Sequence, residues 1–264
     1  MEKLTVHGLT VRETEVGEAD KIITLVTMEQ GRMSIMGKGV KSLKSKNMAA
    51  CQPFCYSTFT LRRSGQYYYI VESELSQCFY GLRTDLDKMA LAAYICDVCA
   101  DGSVEGTADP VLLRLTLNAL YALSEKKDLS LQQLKAAFEF KFACEMGFQP
   151  QLEACGMCGC ETAEKIYLDI MNGRLLCRTC RDRARREAES APPDSDGTAQ
   201  YYLPLTAGVL SAIRYLEAAP VNRFLSFTLE KEDLHLFAQV CEKYLLHHIE
   251  HSFSTLGFYK SILF

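Results

Sequence analysis

Polar and apolar residues alternate along the first 80 positions of the chain, and then the period changes. Lys3 to Val16 opens with that alternation, and Lys21 to Thr27 is a β-rich run. Gln30-Gly31 reads as a hairpin turn into Arg32 to Met36, after which Gly37 and Gly39 break the chain. Phe54 to Arg63 predicts a fourth strand, which Ser64-Gly65 turns into a fifth over Gln66 to Leu75. Five short antiparallel strands in so few residues point to a small closed barrel, an OB-fold ahead of an SH3-like one. Closure also removes exposed sheet edges.

From residue 83 the apolar spacing is helical. Thr84 is placed to cap a helix through Ala100 that uses Leu86, Met89, Ala90, Ala93, Tyr94 and Val98. Asp109-Pro110 is an N-cap followed by proline at the first helical position, and starts a helix through Ser124. Ser130-Leu131-Gln132-Gln133 is a capping box for a third helix that Gly147 ends. Thr206 caps a helix to Ala218, and residues 230–251 carry another apolar stripe. Glu189 to Gln200 reads as a solvated linker, and Phe253 to Phe264 is apolar enough to pack back onto the helices. The predicted class is therefore α+β, with a barrel over 1–80 and the first part of a helical domain over 81–150. A cysteine module inserted over 151–186 follows, and 187–264 is a linker with helices that complete the helical domain.

Composition adds little until it is divided. A chain of 264 residues with 48% hydrophobic and 23% charged residues has ample core material. Met1 to His7 has no apolar signal segment, and Met89 to Ala100, interrupted by Asp97, is too short to span a bilayer. A cytoplasmic location with no membrane partner is expected. The formal net charge of −4 hides a polarised distribution. Residues 1–30 set Lys3, Arg12 and Lys21 against six acids, whereas residues 31–63 hold Arg32, Lys38, Lys41, Lys44, Lys46, Arg62 and Arg63 with no acid. Such a stretch attracts polyanions locally whatever the overall sign. Lysines spaced through a Gly/Ser/Asn-containing loop suit phosphate contacts. Phe54, Tyr56, Phe59, Tyr67, Tyr68 and Tyr69 lie nearby, and strand alternation puts Tyr68 on the face opposite Tyr67 and Tyr69. At least one ring must then face outward, where it could stack a base.

Four of the 12 cysteines form a separate group. Cys155-Gly-Met-Cys158 and Cys177-Arg-Thr-Cys180 are two CxxC knuckles at zinc-ribbon spacing. Met171-Asn172-Gly173 lies between two β-rich runs, and Asn-Gly there predicts a type I′ turn. Four thiolates would hold one structural Zn²⁺ with no position left for water or substrate. Cys160, a fifth thiol nearby, fits that knuckle poorly and is read as a non-ligand. The remaining cysteines sit mostly in apolar segments and behave as small reduced hydrophobes. Arg174, Arg178, Arg181, Arg183, Arg185 and Arg186 form a second basic group, readable as a nucleic-acid contact, a surface for an acidic tail, or a solvated helix. His247 and His251 share a helical face but read as a polar helix end. No P-loop or GxSxG elbow is present, nothing pairs a nucleophile with a base, and the chain is read as non-enzymatic.

The features converge on a known family. Gly8-Leu9-Thr10-Val11-Arg12, Glu18-Ala19-Asp20-Lys21-Ile22-Ile23 and Gly31-Arg32 resemble the bacterial RecO family of DNA repair proteins. So do Gly37-Lys38-Gly39-Val40-Lys41, the Leu43 to Ala50 loop, Gln52-Pro53-Phe54, and Phe148-Gln149-Pro150 before the cysteine module. The resemblance implies an N-terminal OB-fold, a helical domain and the inserted zinc module. It implies a recombination mediator that binds single- and double-stranded DNA and anneals complementary strands. With RecR, such a mediator loads RecA onto DNA coated by single-strand-binding protein (SSB), and it works at the nucleoid. Carried onto this chain, it implies DNA contact for Arg32, Lys38, Lys41, Lys44 and Lys46, to which the basic run adds Arg62 and Arg63. It implies zinc ligation by Cys155, Cys158, Cys177 and Cys180. The rival reading is a zinc-ribbon adaptor for protein or RNA without annealing activity.

Overall fold

A computed structural model of the chain describes residues 3–126, 128–189 and 201–263. Five strands, β1 (Lys3–Val16), β2 (Asp20–Thr27), β3 (Gly31–Gly37), β4 (Cys55–Ser64) and β5 (Tyr67–Cys78), close into a barrel in the order β1-β2-β3-β5-β4. β1 pairs with both β2 and β4, and a short parallel contact of Ile35 with Tyr68 and Met36 with Tyr69 joins β3 to β5. This is the OB-type barrel that the alternation predicts. Every second residue points inward, so Val6, Ile23, Leu25, Met33, Ile35, Phe59 and Leu61 fill the interior. Bulges near Thr10, Tyr56 and Thr60 bend the long strands round the closure.

The β3–β4 connection is irregular but anchored. Val40, Ala50 and Cys51 are buried against the barrel core. The Lys41 amide donates to Ala19 O and the Gly39 amide to the Asp20 carboxylate. Thr10 Oγ1 donates to Ala50 O, which fixes the far end of the loop. Buried apolar anchors with hydrophilic residues between them turn the loop's lysines outward.

After a short 3₁₀ helix (Tyr80–Thr84) come α1 (Leu86–Gly102) and α2 (Pro110–Glu125). The cap of α1 is Asp85 and not Thr84: its carboxylate accepts the amides of Asp87 and Lys88, while the Thr84 hydroxyl turns back to Gly81 O. Asp109 caps α2 with proline at its first position, as the sequence predicts. The last helix, α7 (Ser254–Ile262), packs on α1, where Thr255 Oγ1 donates to Asp97 and Phe253 meets Tyr94 edge-on. These elements form one compact unit, Met1–Leu131 with Ser252–Phe264.

The second unit, Gln132–His251, contains α3 (Leu131–Glu145), the cysteine module, α5 (Ala207–Ala218) and α6 (Lys231–Ile249). α3 is buried nearly all round, with Phe138, Phe140 and Phe142 fully enclosed. Lys135 on it reaches Glu139 and Glu242 at 2.7 Å each, so this buried cation is paired. The module is a four-stranded sheet, β6 (Gln151–Cys155), β8 (Arg174–Cys177), β7 (Ile166–Asp169) and β9 (Tyr202–Leu205) in that order, followed from β8 by α4 (Arg178–Glu189). Strand β9 was not foreseen; it returns from distant sequence to pair with β7. The β7–β8 turn also differs from expectation. Asp169 pairs with Arg174 across it, leaving four residues, and only Gly173 has positive φ. Asn172 instead binds the Asp169 carboxylate through its amide and side chain, an Asx-type solution to the same reversal. Of the predicted linker Glu189 to Gln200, Glu189 is the last residue of α4 and residues 190–200 lie outside the described residues.

Candidate nucleic-acid interface and metal centre

Register places the candidate basic residues. In β1–β4 pairing Lys3 stands opposite Arg62, and in β4–β5 pairing Arg62 faces Tyr69, Arg63 faces Tyr68 and Ser64 faces Tyr67. Met36, two residues before Lys38, is the partner of Tyr69. One end of the barrel therefore gathers Lys3, Lys38, Arg62, Arg63 and the three tyrosines. Lys38 Nζ lies 5.2 Å from the Tyr69 ring centre, and the Arg63 guanidinium 5.9 Å from that of Tyr68. Tyr68 packs inward with Leu4 and Ile70, as alternation requires, and Tyr67 is 60% exposed. An exposed ring among cations is the arrangement that stacks a base while holding its backbone. The place of Lys3 in this group was not legible in the sequence, because only strand pairing brings it to Arg62.

The lysine loop continues this surface. Lys44 and Lys46 are exposed, with no side-chain partner among the described residues. Asn47 Oδ1 accepts from Ser73 Oγ at 2.8 Å, tying the loop to the middle of β5. Lys41 behaves differently: its Nζ sits 2.9 Å from Glu15, and the Lys41 hydrogen bond and charge hold the Glu15 carboxyl below its usual range. Lys21 pairs with Glu13 beside it. The stretch that is free of acid in sequence is thus met in space by acids from the β1–β2 hairpin.

Arg32 lies apart from the others. It occupies the opposite end of β3 from Lys38, roughly 20 Å away at strand rise. Its Nη1 donates to Ala100 O, an acceptor in the last turn of α1, where a cation is favoured by the helix dipole.

In the second unit the fold brings four thiols together. Cys155 ends β6, Cys158 lies in the following turn, Cys177 ends β8, and Cys180 is in the first turn of α4. Their sulfurs all lie within 4.8 Å of one another, the sole cluster of three or more such ligand atoms found among the described residues. Cys158 and Cys177 are 3.8 Å apart, the edge of a tetrahedron with Zn–S bonds of ~2.3 Å. The Cys177 amide donates to Cys155 Sγ at 3.3 Å. Burial pushes the Cys155 thiol up, but amides of Cys177, Met157 and Cys158 outweigh it and bring the group down to about 6. The Cys160 amide likewise lowers Cys158. Cys160 stands outside the four and is pushed up to about 12 by its contact with Cys158 and by burial. Four sulfurs within reach of one centre fit a soft divalent metal ion.

The arginines around this module are committed to local partners. Arg174 meets the buried Asp169, and Arg178, Arg183 and Arg185 each face an acid one turn on along α4. Arg181 lies over the Tyr167 ring at 4.2 Å. His248, beside His247, stacks on Phe148 with ring centres 4.8 Å apart. No helix among the described residues is long and apolar enough to cross a membrane.

Known proteins are similar to this chain along most of its length. The family model described as Recombination protein O N terminal matches residues 1–79, and that described as Recombination protein O C terminal matches residues 83–256. The chain is 28% identical to a DNA repair protein RecO of Acetivibrio thermocellus, over 99% of this chain and 98% of the relative. It is 27% identical to one from Desulforudis audaxviator over the same shares. With one from Rubrobacter xylanophilus it is 32% identical over 81% of each chain. With the barrel in the first match and the cysteine module in the second, the chain belongs to the recombination protein O (RecO) family of DNA repair proteins.

Proposed function

We propose that this chain is a non-enzymatic recombination mediator that binds single- and double-stranded DNA at the Lys38–Arg63 end of its barrel. It anneals complementary strands there and, with RecR, loads RecA onto SSB-coated DNA at the nucleoid. The observation that carries this reading is the convergence of Lys38, Arg62, Arg63 and the exposed Tyr67 on one barrel end, from which the loop bearing the exposed Lys44 and Lys46 departs. Cations set between two phosphate backbones lower the repulsion between them, and stacking on Tyr67 holds bases without consuming their pairing edges. A bound strand therefore stays available to its complement. Arg32 serves this site only through the α1 contact that orients β3, and Lys41 joins it when DNA displaces Glu15.

The metal supported by the four cysteines is one Zn²⁺. Bound by Cys155, Cys158, Cys177 and Cys180, it would supply a structural cross-link and no open coordination position. The thiolates converge from β6, β8 and α4, so the ion would pin the sheet to the helix that follows it.

Replacing Lys38, Lys44 and Lys46 together by Ala tests the proposal in a fluorescence titration across salt concentrations. Single-strand affinity should fall, and the slope of log K against log salt should flatten by up to ~0.7 per lost phosphate contact. Unchanged affinity and slope would sink the assignment. Running RNA beside DNA, and annealing of SSB-coated strands with and without RecR, separates a mediator from an RNA-binding adaptor.

A further inference from the structure

Outside the metal cluster, one pair of thiols has a geometry that burial of small hydrophobes does not require. Cys55 is the first residue of β4 and Cys78 the last of β5, and the two are direct antiparallel partners. Their sulfurs are 3.2 Å apart. Antiparallel partners have Cα atoms ~4.5–5.5 Å apart, inside the ~4.4–6.8 Å window that a disulfide bridges without backbone movement. Closing the sulfurs to ~2.05 Å needs side-chain rotation alone. The backbone is held on both sides, because Phe54 donates to Thr10 O, Cys55 to Gln52 O and Phe79 to Phe54 O.

Accessibility separates the two partners. Among the cysteines outside the 155–180 module, only Cys78 is not buried; Cys51, Cys55, Cys96, Cys99, Cys144 and Cys241 all are. A small oxidant thus reaches Cys78 and not Cys55.

We infer that Cys55 and Cys78 form a thiol–disulfide site that exchanges with a low-molecular-weight disulfide of the glutathione class. In the first step the Cys78 thiolate attacks one sulfur of that disulfide. The S–S bond breaks, one small thiolate leaves and takes up a proton, and Cys78 carries a mixed disulfide. In the second step Cys55 loses its proton to solvent, and its sulfur attacks Cys78 Sγ. The second small thiol leaves as the Cys55–Cys78 bond forms. Two protein thiols are oxidised and one small disulfide is reduced to two thiols. Burial, then the hydrogen bond to Cys78, pushes the Cys55 thiol up to about 12, so the second step speeds up with pH. The bridge would fasten the exit of the lysine loop to the end of β5.

The test uses the full-length, metal-loaded protein incubated with oxidised glutathione between pH 7 and 9, quenched by alkylation and mapped by non-reducing mass spectrometry. A Cys55–Cys78 linked peptide should dominate outside the metal module, form faster at higher pH, and disappear with dithiothreitol. In a Cys55→Ser variant the glutathione adduct should remain on Cys78. Three outcomes would overturn the inference: Cys78 staying fully alkylatable, its adduct never resolving in the wild-type chain, or the bridge forming no faster in native than in denatured protein. The wild-type mapping decides the matter even where the variant does not fold.

Discussion

Glu15 shows how one residue can reverse a reading made from charge along the chain. The run from Gly31 to Arg63 carries seven basic residues and no acid, yet Glu15 from β1 takes Lys41 at 2.9 Å. In the proposed interface its carboxylate would compete with phosphate for that lysine. Glu15→Gln should raise single-strand affinity by roughly twofold, the scale of an exposed ion pair, in a titration at low salt. Gly31 illustrates the opposite case, a residue whose type is dictated by space. It has φ of 60°, and a Cβ there would lie 2.1 Å from Val104 O and 2.3 Å from Thr107 O. Those carbonyls belong to a loop whose Gly106 amide donates to Gln30 O, so they cannot simply retreat. Gly31→Ala should cost roughly 2–4 kcal/mol by chemical denaturation.

At the scale of elements, the sequence was legible wherever one local rule decided the outcome. Alternation placed β1 to β5, and Asp109-Pro110 placed the start of α2, because both depend on neighbours in the chain. The cap of α1 moved to Asp85 since Thr84 was claimed by the preceding 3₁₀ turn. β9 escaped notice because four residues carry too little pattern, and its pairing to β7 is long-range. α6 adds an element with its own pH dependence. Burial first, then the neighbouring His247, holds the His248 imidazole below its ordinary 6.5. The unfolded chain therefore binds more protons below pH 6.5, so stability is full above that value and declines as pH falls through the folded value. Melting temperature should drop as pH falls below 6.5, and His248→Phe, which keeps the stack on Phe148, should flatten that slope.

For the whole molecule, the division into two units assigns different physical tasks. The basic barrel end belongs to Met1–Leu131 with Ser252–Phe264, and the four thiols belong to Gln132–His251. If the four thiols hold the proposed ion, stripping it with a chelator, or replacing Cys155 and Cys158 by Ser, should lower the melting temperature of the second unit. Single-strand affinity should change by less than about twofold, within the experimental spread of a site that keeps all its cations. Calorimetry beside a binding titration checks both, and loss of DNA affinity from a fully folded variant would reverse the order of importance.

What the sequence determined by itself was chemistry that adjacent residues carry: the period of the strands, the two CxxC knuckles, the first-turn proline of α2 and the basic loop. These follow from local geometry and from residue type. Tertiary structure alone decided which charges remain available, because pairing partners come from other strands. It set Lys3 beside Arg62, neutralised Lys41 with Glu15, and sent Arg32 to the carbonyl of Ala100 at the far end of β3. It also brought Cys55 to Cys78 across two strand ends, a juxtaposition that no spacing rule encodes. Closing a barrel fixes a register, and that register determines which side chains become neighbours.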